Sequence, residues 1–149
     1  MAPKSWVKKK PRSRIVEHEF GVNAVKGDPA DGRLTIMPSG GPIKDNIDRW
    51  IGQFSQPDGT ATKAKVTKKK IAGQQVHIVD LQGTYKDAPR GPFGPKVDRE
   101  GYRMLGTIVE LSRDAKPMGN YYIKLYGPVK TMKQNEKAYM EFVQSLKMK

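Results

Sequence analysis

The chain of 149 residues contains no cysteine, which excludes a disulfide framework, a thiolate metal site and a cysteine nucleophile. No segment approaches the ~20 consecutive apolar residues of a membrane-spanning helix. The first residues also lack the apolar core of a secretory signal. Two locations stay open: the cytoplasm, or export with the leader already removed, in which case Met1 is not the natural start.

Acidic residues are scarce, with 15 Asp and Glu against 28 Lys and Arg, for a net charge of +13. Two segments, 4–14 and 63–70, carry six and five cationic side chains and no acid. Such an excess favours polyanion partners, either nucleic acid or an anionic surface. The candidate contact residues are Lys8, Lys9, Lys10, Lys68, Lys69 and Lys70, which form one patch if the two segments adjoin. The alternative is that these lysines maintain solubility and protect a sheet edge from pairing with other chains.

The sequence lacks a recognisable catalytic centre. Ser39 follows Met-Pro rather than the glycine pattern of a nucleophile elbow, and no segment matches a phosphate-binding loop. The two histidines, His18 and His77, lie in separate predicted strands, and Asp80 faces away from His77. We therefore predict no catalytic residue, no metal site and no cofactor, and expect Asp80 either to cap a neighbouring strand or to pair with a lysine or arginine.

Two stretches show helical periodicity. Apolar residues recur at spacings of three and four from Ile43 to Phe54, directly after Pro42. A second apolar stripe runs from Met132 to Leu146, after the Gly-Pro pair that ends at Pro128. The sequence predicts two amphipathic helices.

Alternation and turn signals predict about six strands, which we place at 14–20, 33–37, 66–71, 75–81, 102–111 and 120–126. The hairpin around Ala72-Gly73 indicates antiparallel pairing. The strand at 75–81 is apolar on both faces, so we expect one helix on each side of it. The predicted fold is an α/β domain over 14–149, a mainly antiparallel sheet between two helices. Residues 1–13 form an irregular basic arm that Trp6 could pin to the domain.

Residues 86–101 contain three prolines and three glycines, which makes regular structure improbable there. A loop of that length in a compact domain is usually functional or disordered. We predict that it is the variable element that contacts a protein partner, with Arg90, Phe93 and Lys96 as the candidate residues. On another segment, Tyr122 and Tyr126 share a strand face with Lys124 between them, as in an RNA-stacking platform. A helix over that face would remove the platform.

Five segments together resemble a group of uncharacterised bacterial proteins, found notably in planctomycetes and often made as exported proteins or lipoproteins. These segments are 40–41, 46–54, 79–85, 102–106 and 124–128. The group's pattern includes Arg49, Trp50 and Gln53, for which it implies a fold signature. The element order is also similar to the Mog1/PsbP-like fold, whose members act as binding or assembly proteins on a small GTPase or on photosystem II. The resemblance implies a non-enzymatic, exported binding domain that contacts a protein or envelope component.

Overall fold

The computed structural model describes residues 2–11, 14–88, 93–113 and 116–145. Within these ranges the chain is an α/β protein with one sheet of eight strands and two helices. In chain order the elements are β1 (Trp6–Lys9), β2 (His18–Val22), β3 (Gly32–Ser39), α1 (Ile43–Gly52), β4 (Phe54–Ser55), β5 (Lys65–Ile71), β6 (Gln74–Asp87), β7 (Val97–Arg113), β8 (Lys116–Pro128) and α2 (Val129–Gln144).

The sheet runs in the order β1-β2-β3-β8-β7-β6, and the far side of β6 pairs with both β4 and β5. Neighbouring strands are antiparallel. The predicted α/β class and mainly antiparallel sheet are confirmed, whereas the expected number of six strands is too low. The two additional strands, β1 and β4, are four and two residues long and carry no clear alternation.

The structure differs from the irregular arm predicted for 1–13, because residues 6–9 form β1 against β2. Trp6 holds the strand in place and is only 5% exposed. Its ring meets that of Phe142 edge to face at 5.6 Å, and its indole N–H donates to the Asn135 side chain at 3.1 Å. Burial of the large Trp6 ring against α2 therefore orders this part of the arm.

The loop predicted at 86–101 is shorter than expected. β6 extends to Asp87 and β7 begins at Val97, and these two residues are register partners. Tyr85, opposite Arg99, is buried and anchors the end of this hairpin. The three prolines all lie between positions 89 and 95, so the flanking residues are free to pair.

The core consists of two apolar clusters, one on each face of the sheet. α2 contributes to the first and α1 contributes Trp50 to the second. Val76 and Ile78 of β6 belong to the first cluster, whereas Val79 and Leu81 belong to the second. The prediction that this strand is covered on both faces is confirmed.

Helix α1 is too short to cover its face of the sheet. Its 10 residues span about 15 Å, whereas the 17 residues of β7 extend over roughly 56 Å. Trp50 packs on Gly106 of β7, where an added Cβ would lie 2.5 Å from the indole ring. The polar residues described below occupy the remaining part of this face.

Gly106→Ala should destabilise the fold by about 1–3 kcal/mol, because the new methyl group overlaps the Trp50 ring. Chemical denaturation measures this free energy of unfolding. Gly40→Ala is the matched control, since nothing lies within 4 Å of a Cβ at that position. Equal stabilities for the two variants would show that Trp50 does not need the glycine.

Candidate functional site

The structure places the two predicted lysine sets at opposite edges of the sheet. Lys8 and Lys9 belong to β1, whereas Lys68, Lys69 and Lys70 belong to β5. Six strand-to-strand steps separate β1 from β5, or roughly 29 Å at about 4.8 Å per step. The two basic segments therefore do not form one patch. Five strands, from β2 through β3, β8 and β7 to β6, lie between β1 and β5.

β5 is a lysine-rich edge strand, as predicted. It pairs with β6 on one side only within the described residues. Lys68 and Lys70 are exposed on the α1 side, whereas Lys65 and Lys69 alternate onto the other. An open groove of about 590 Å³ runs beside the strand and is lined in part by Lys63, Lys65 and Asp80.

The loop between β6 and β7 presents an aromatic side chain to solvent. Phe93 is fully exposed, with a relative accessibility of 103%, and Lys96 is exposed as well. Val97, where β7 begins, is 39% exposed. Arg90, the third candidate residue, lies outside the described residues.

Asp80 has a structural partner, as expected. Its two carboxylate oxygens accept hydrogen bonds from the Arg103 guanidinium at 2.9 and 2.8 Å. Arg103 also donates to Glu136 of α2 at 3.2 Å. The hydrogen bond to Asp80 is the main reason that the pKa of Arg103 stays above its usual value. This ion-pair network joins β6 and β7 to α2. Both oxygens of the Asp80 carboxylate are engaged in it.

The two histidines are far apart. His77 Nε2 lies 2.8 Å from Glu110, whereas His18 is exposed on β2, four strands away from β6. The described residues contain no cluster of three or more histidines or acids that could hold a metal ion. None of the described helices has the length and apolarity needed to cross a bilayer.

A cluster that sequence reasoning did not predict lies beyond the end of α1, around Lys124 of β8. The Lys124 ammonium donates to the side-chain oxygen of Gln53 at 2.9 Å and to the Tyr85 hydroxyl at 3.1 Å. It also lies 5.0 and 5.3 Å from the ring centroids of Tyr85 and Tyr126. Gln53 is held in place because its own carbonyl accepts the Lys86 N–H at 2.8 Å.

Burial and positive neighbours disfavour the charged form of Lys124. Burial is the largest cause, followed by Arg49 and Arg33, and together they lower the pKa of Lys124 to about 7. Asp87 acts in the opposite direction but only partly offsets them. Lys124 therefore loses its proton at a lower pH than an exposed lysine does.

Arg33 borders the same cluster. Its guanidinium donates to the Tyr126 hydroxyl and to Glu19, each at 2.9 Å, and Glu19 is only 1% exposed. Burial lowers the pKa of Arg33, but the bonds to Glu19 and Tyr126 outweigh it and hold the pKa above its usual value. The Nε atom of Arg33 is buried and lacks a hydrogen-bond partner among the described atoms.

Tyrosine rings form the floor of the cluster. Tyr85 stacks nearly parallel to Tyr102 at 6.2 Å and touches Tyr126 at 4.9 Å between ring centroids. Burial raises the pKa of Tyr85, so its hydroxyl stays protonated. A cavity of about 240 Å³ adjoins these rings and is lined in part by Glu19, Arg33, Asp87, Arg99, Tyr102 and Tyr126.

One sequence signal pointed towards this cluster, namely the alternation of Tyr122, Lys124 and Tyr126. Its interpretation as a stacking platform does not fit Tyr122, which is 2% exposed and packs against Trp50 at 5.5 Å. Arg33 comes from a distant segment, so no local pattern could place it beside Lys124.

Comparison with known proteins returned neither a matching family model nor a matching curated sequence.

The wild-type chain should gain stability relative to a Lys124→Met variant as the pH rises from about 7 towards 10. The unfolded chain keeps the ordinary lysine pKa of 10.5, whereas the folded chain has a value of about 7. Between these values the unfolded state binds more protons, so the free energy of unfolding rises with pH. Denaturant titrations of both proteins across this range measure the difference.

Lys130→Met is the control, because Lys130 is exposed at the start of α2. A stability difference between wild type and Lys124→Met that does not change with pH would contradict the lowered pKa.

Proposed function

We propose that this chain is a binding domain that contacts a protein or cell-envelope component through the β6–β7 loop, without catalysing a reaction on that partner. The observation that carries the proposal is the full exposure of Phe93. A phenylalanine in this position gains about 1.5–3 kcal/mol when a partner buries it. Aromatic anchors of this kind contribute much of the energy of protein interfaces.

Strand pairing and an ion pair hold the base of the loop, which favours it as a contact element. Tyr85 and Asp87 pair in register with Arg99 and Val97, and the Arg99 guanidinium lies 3.4 Å from the Asp87 carboxylate. A long hairpin thus presents Phe93, Lys96 and Val97 together. A firm base lowers the entropy lost when the loop binds.

Export is part of this proposal and is supported by the resemblance to exported bacterial proteins. In that setting the loop would face envelope or periplasmic partners. A leader upstream of Ala2 in the complete reading frame would support the location, whereas a cytoplasmic protein lacking a leader would contradict it.

A photo-crosslinking residue at position 93 should yield a discrete product with the partner in an envelope extract of the source cells. The same residue at position 118 is the control, because Met118 is also exposed, at 54%, but lies on β8. Phe93→Ala should weaken capture by tenfold or more, following the loss of about 1.5–3 kcal/mol. Identical crosslinking at 93 and 118 would refute a role for the loop.

The second candidate function is polyanion binding, and it is favoured by the geometry of β5. Four of the seven residues of this strand are lysines, and Lys63 and Lys65 line the neighbouring groove. The acidic residue that lines this groove, Asp80, is already neutralised by Arg103. Protection of the sheet edge remains the competing explanation for these lysines.

Replacing Lys68, Lys69 and Lys70 together with glutamine should reduce the salt dependence of binding to duplex DNA. Each phosphate contact contributes about 0.9 to the slope of log affinity against log salt, so the slope should fall by up to roughly 2.7. Fluorescence anisotropy at several salt concentrations measures the slope.

The charge-matched control replaces Lys130, Lys133 and Lys137, which are exposed on α2. If both triple variants lower the slope equally, β5 is not a specific contact and the lysines there serve edge protection.

A further inference from the structure

Lys124 has an unusual set of neighbours for a half-buried lysine. Both of its hydrogen-bond partners, Gln53 and Tyr85, are neutral, and no carboxylate contacts its ammonium among the described residues. A half-buried ammonium is normally stabilised by a nearby acid. Lys124 lacks such an acid among its contacts, so structural ion pairing does not explain why a lysine lies here.

The topology surrounds Lys124 with positive charge. Arg33 is paired with Tyr126, and Thr35 with Lys124, so Arg33 lies diagonally across from Lys124 on the adjacent strand. Diagonal neighbours on one sheet face are about 7–8 Å apart. Arg49 precedes Gln53 by four residues and therefore projects from the same side of the chain at the end of α1.

The other elements around Lys124 add few acids. β6 contributes Tyr85 and Asp87, β7 contributes Tyr102 and Arg99, and β2 contributes Glu19. Asp87 lies 3.4 Å from Arg99, and Glu19 is engaged with Arg33. Both carboxylates are thus engaged with arginines, and Asp87 offsets only part of the effect of the positive neighbours on Lys124.

We propose that Lys124 is a nucleophilic amine that forms a Schiff base with a small carbonyl compound carrying a carboxylate, such as a 2-oxo acid. Lysine amines become nucleophilic when they are desolvated or placed beside another cation, and Lys124 satisfies both conditions. The proposal concerns a site on the sheet face and does not depend on the role of the β6–β7 loop.

The reaction balances without a further reagent. The nitrogen lone pair of Lys124 attacks the carbonyl carbon, and the resulting carbinolamine loses water to form the imine. The two amine protons leave with the carbonyl oxygen, and the Tyr85 hydroxyl, 3.1 Å from the nitrogen, can donate a hydrogen bond to that oxygen. Protonation from solvent then gives an iminium cation, which the Tyr85 and Tyr126 ring faces stabilise.

The carboxylate of the ligand has a matching group in Arg33. The unpartnered Nε of this side chain is a buried donor, and a carboxylate accepts charge-assisted hydrogen bonds from guanidinium N–H groups. The adjoining cavity of about 240 Å³ is lined in part by Arg33 and Tyr126, the neighbours of Lys124 on this sheet face. A cavity of that size has room for a molecule of a few carbon atoms.

The test is trapping of the full chain with pyruvate and sodium cyanoborohydride at pH 7, followed by peptide mass mapping. The expected result is a reduced adduct on Lys124 with at least tenfold higher occupancy than on Lys68 or Lys70, which are exposed internal controls. Adducts spread evenly over the exposed lysines would overturn the proposal. Because these lysines are compared within the wild-type chain, the result does not depend on a variant that folds.

Two further labelling experiments distinguish a reactive Lys124 from a lysine with a purely structural role. Arg49→Gln removes an exposed positive neighbour of Lys124, so the pH midpoint of labelling should move upwards. Acetone, a ketone that lacks the carboxylate, should give a ratio of Lys124 to Lys68 labelling at least fivefold lower than pyruvate gives. An unchanged midpoint, or equal labelling ratios for acetone and pyruvate, would overturn the proposed site.

Discussion

The pairing of β3 with β8 is the contact on which the rest of the structure depends. It joins segments about ninety residues apart, as in the Arg33 and Tyr126 pair, which are separated by 93 positions. Closing so long a segment has an entropic cost. Buried apolar residues offset that cost. Leu34 lies opposite Leu125, and Ile123, two positions before Leu125 on β8, is buried as well.

This pairing also determines where the charges of the chain meet. It brings Arg33 to Lys124 and its tyrosines, although the two residues belong to opposite ends of the sequence. The same strand order carries β1 and β5 to opposite edges, so the two lysine-rich segments are separated. Bulk basicity therefore says little about this molecule. The positive charge is distributed over one cluster around Lys124 at the centre of the sheet and two lysine-rich edges.

Elements defined by local contacts could be predicted from the sequence, whereas non-local ones could not. The apolar stripe ending near Phe54 and the Ala72-Gly73 turn specify α1 and the β5–β6 hairpin, because all the necessary partners are close in sequence. β1 depends on Trp6 reaching Phe142 and Asn135, more than 120 residues away. The low pKa of Lys124 likewise depends on burial by distant strands. Asp80 was predictable in kind, as an acid that needs a basic partner, but its partner Arg103 was not.

The β6–β7 hairpin connects the two surfaces for which we propose functions. Tyr85 contacts the Lys124 ammonium, and two residues later Asp87 pairs with Arg99 at the base of the loop that carries Phe93. Asp87 also favours the charged form of Lys124. Conversion of Lys124 to a neutral amine removes that attraction, which leaves Arg99 as the positive partner of Asp87. The charge state of the cluster and the electrostatics at the base of the binding loop are thus linked through a single carboxylate.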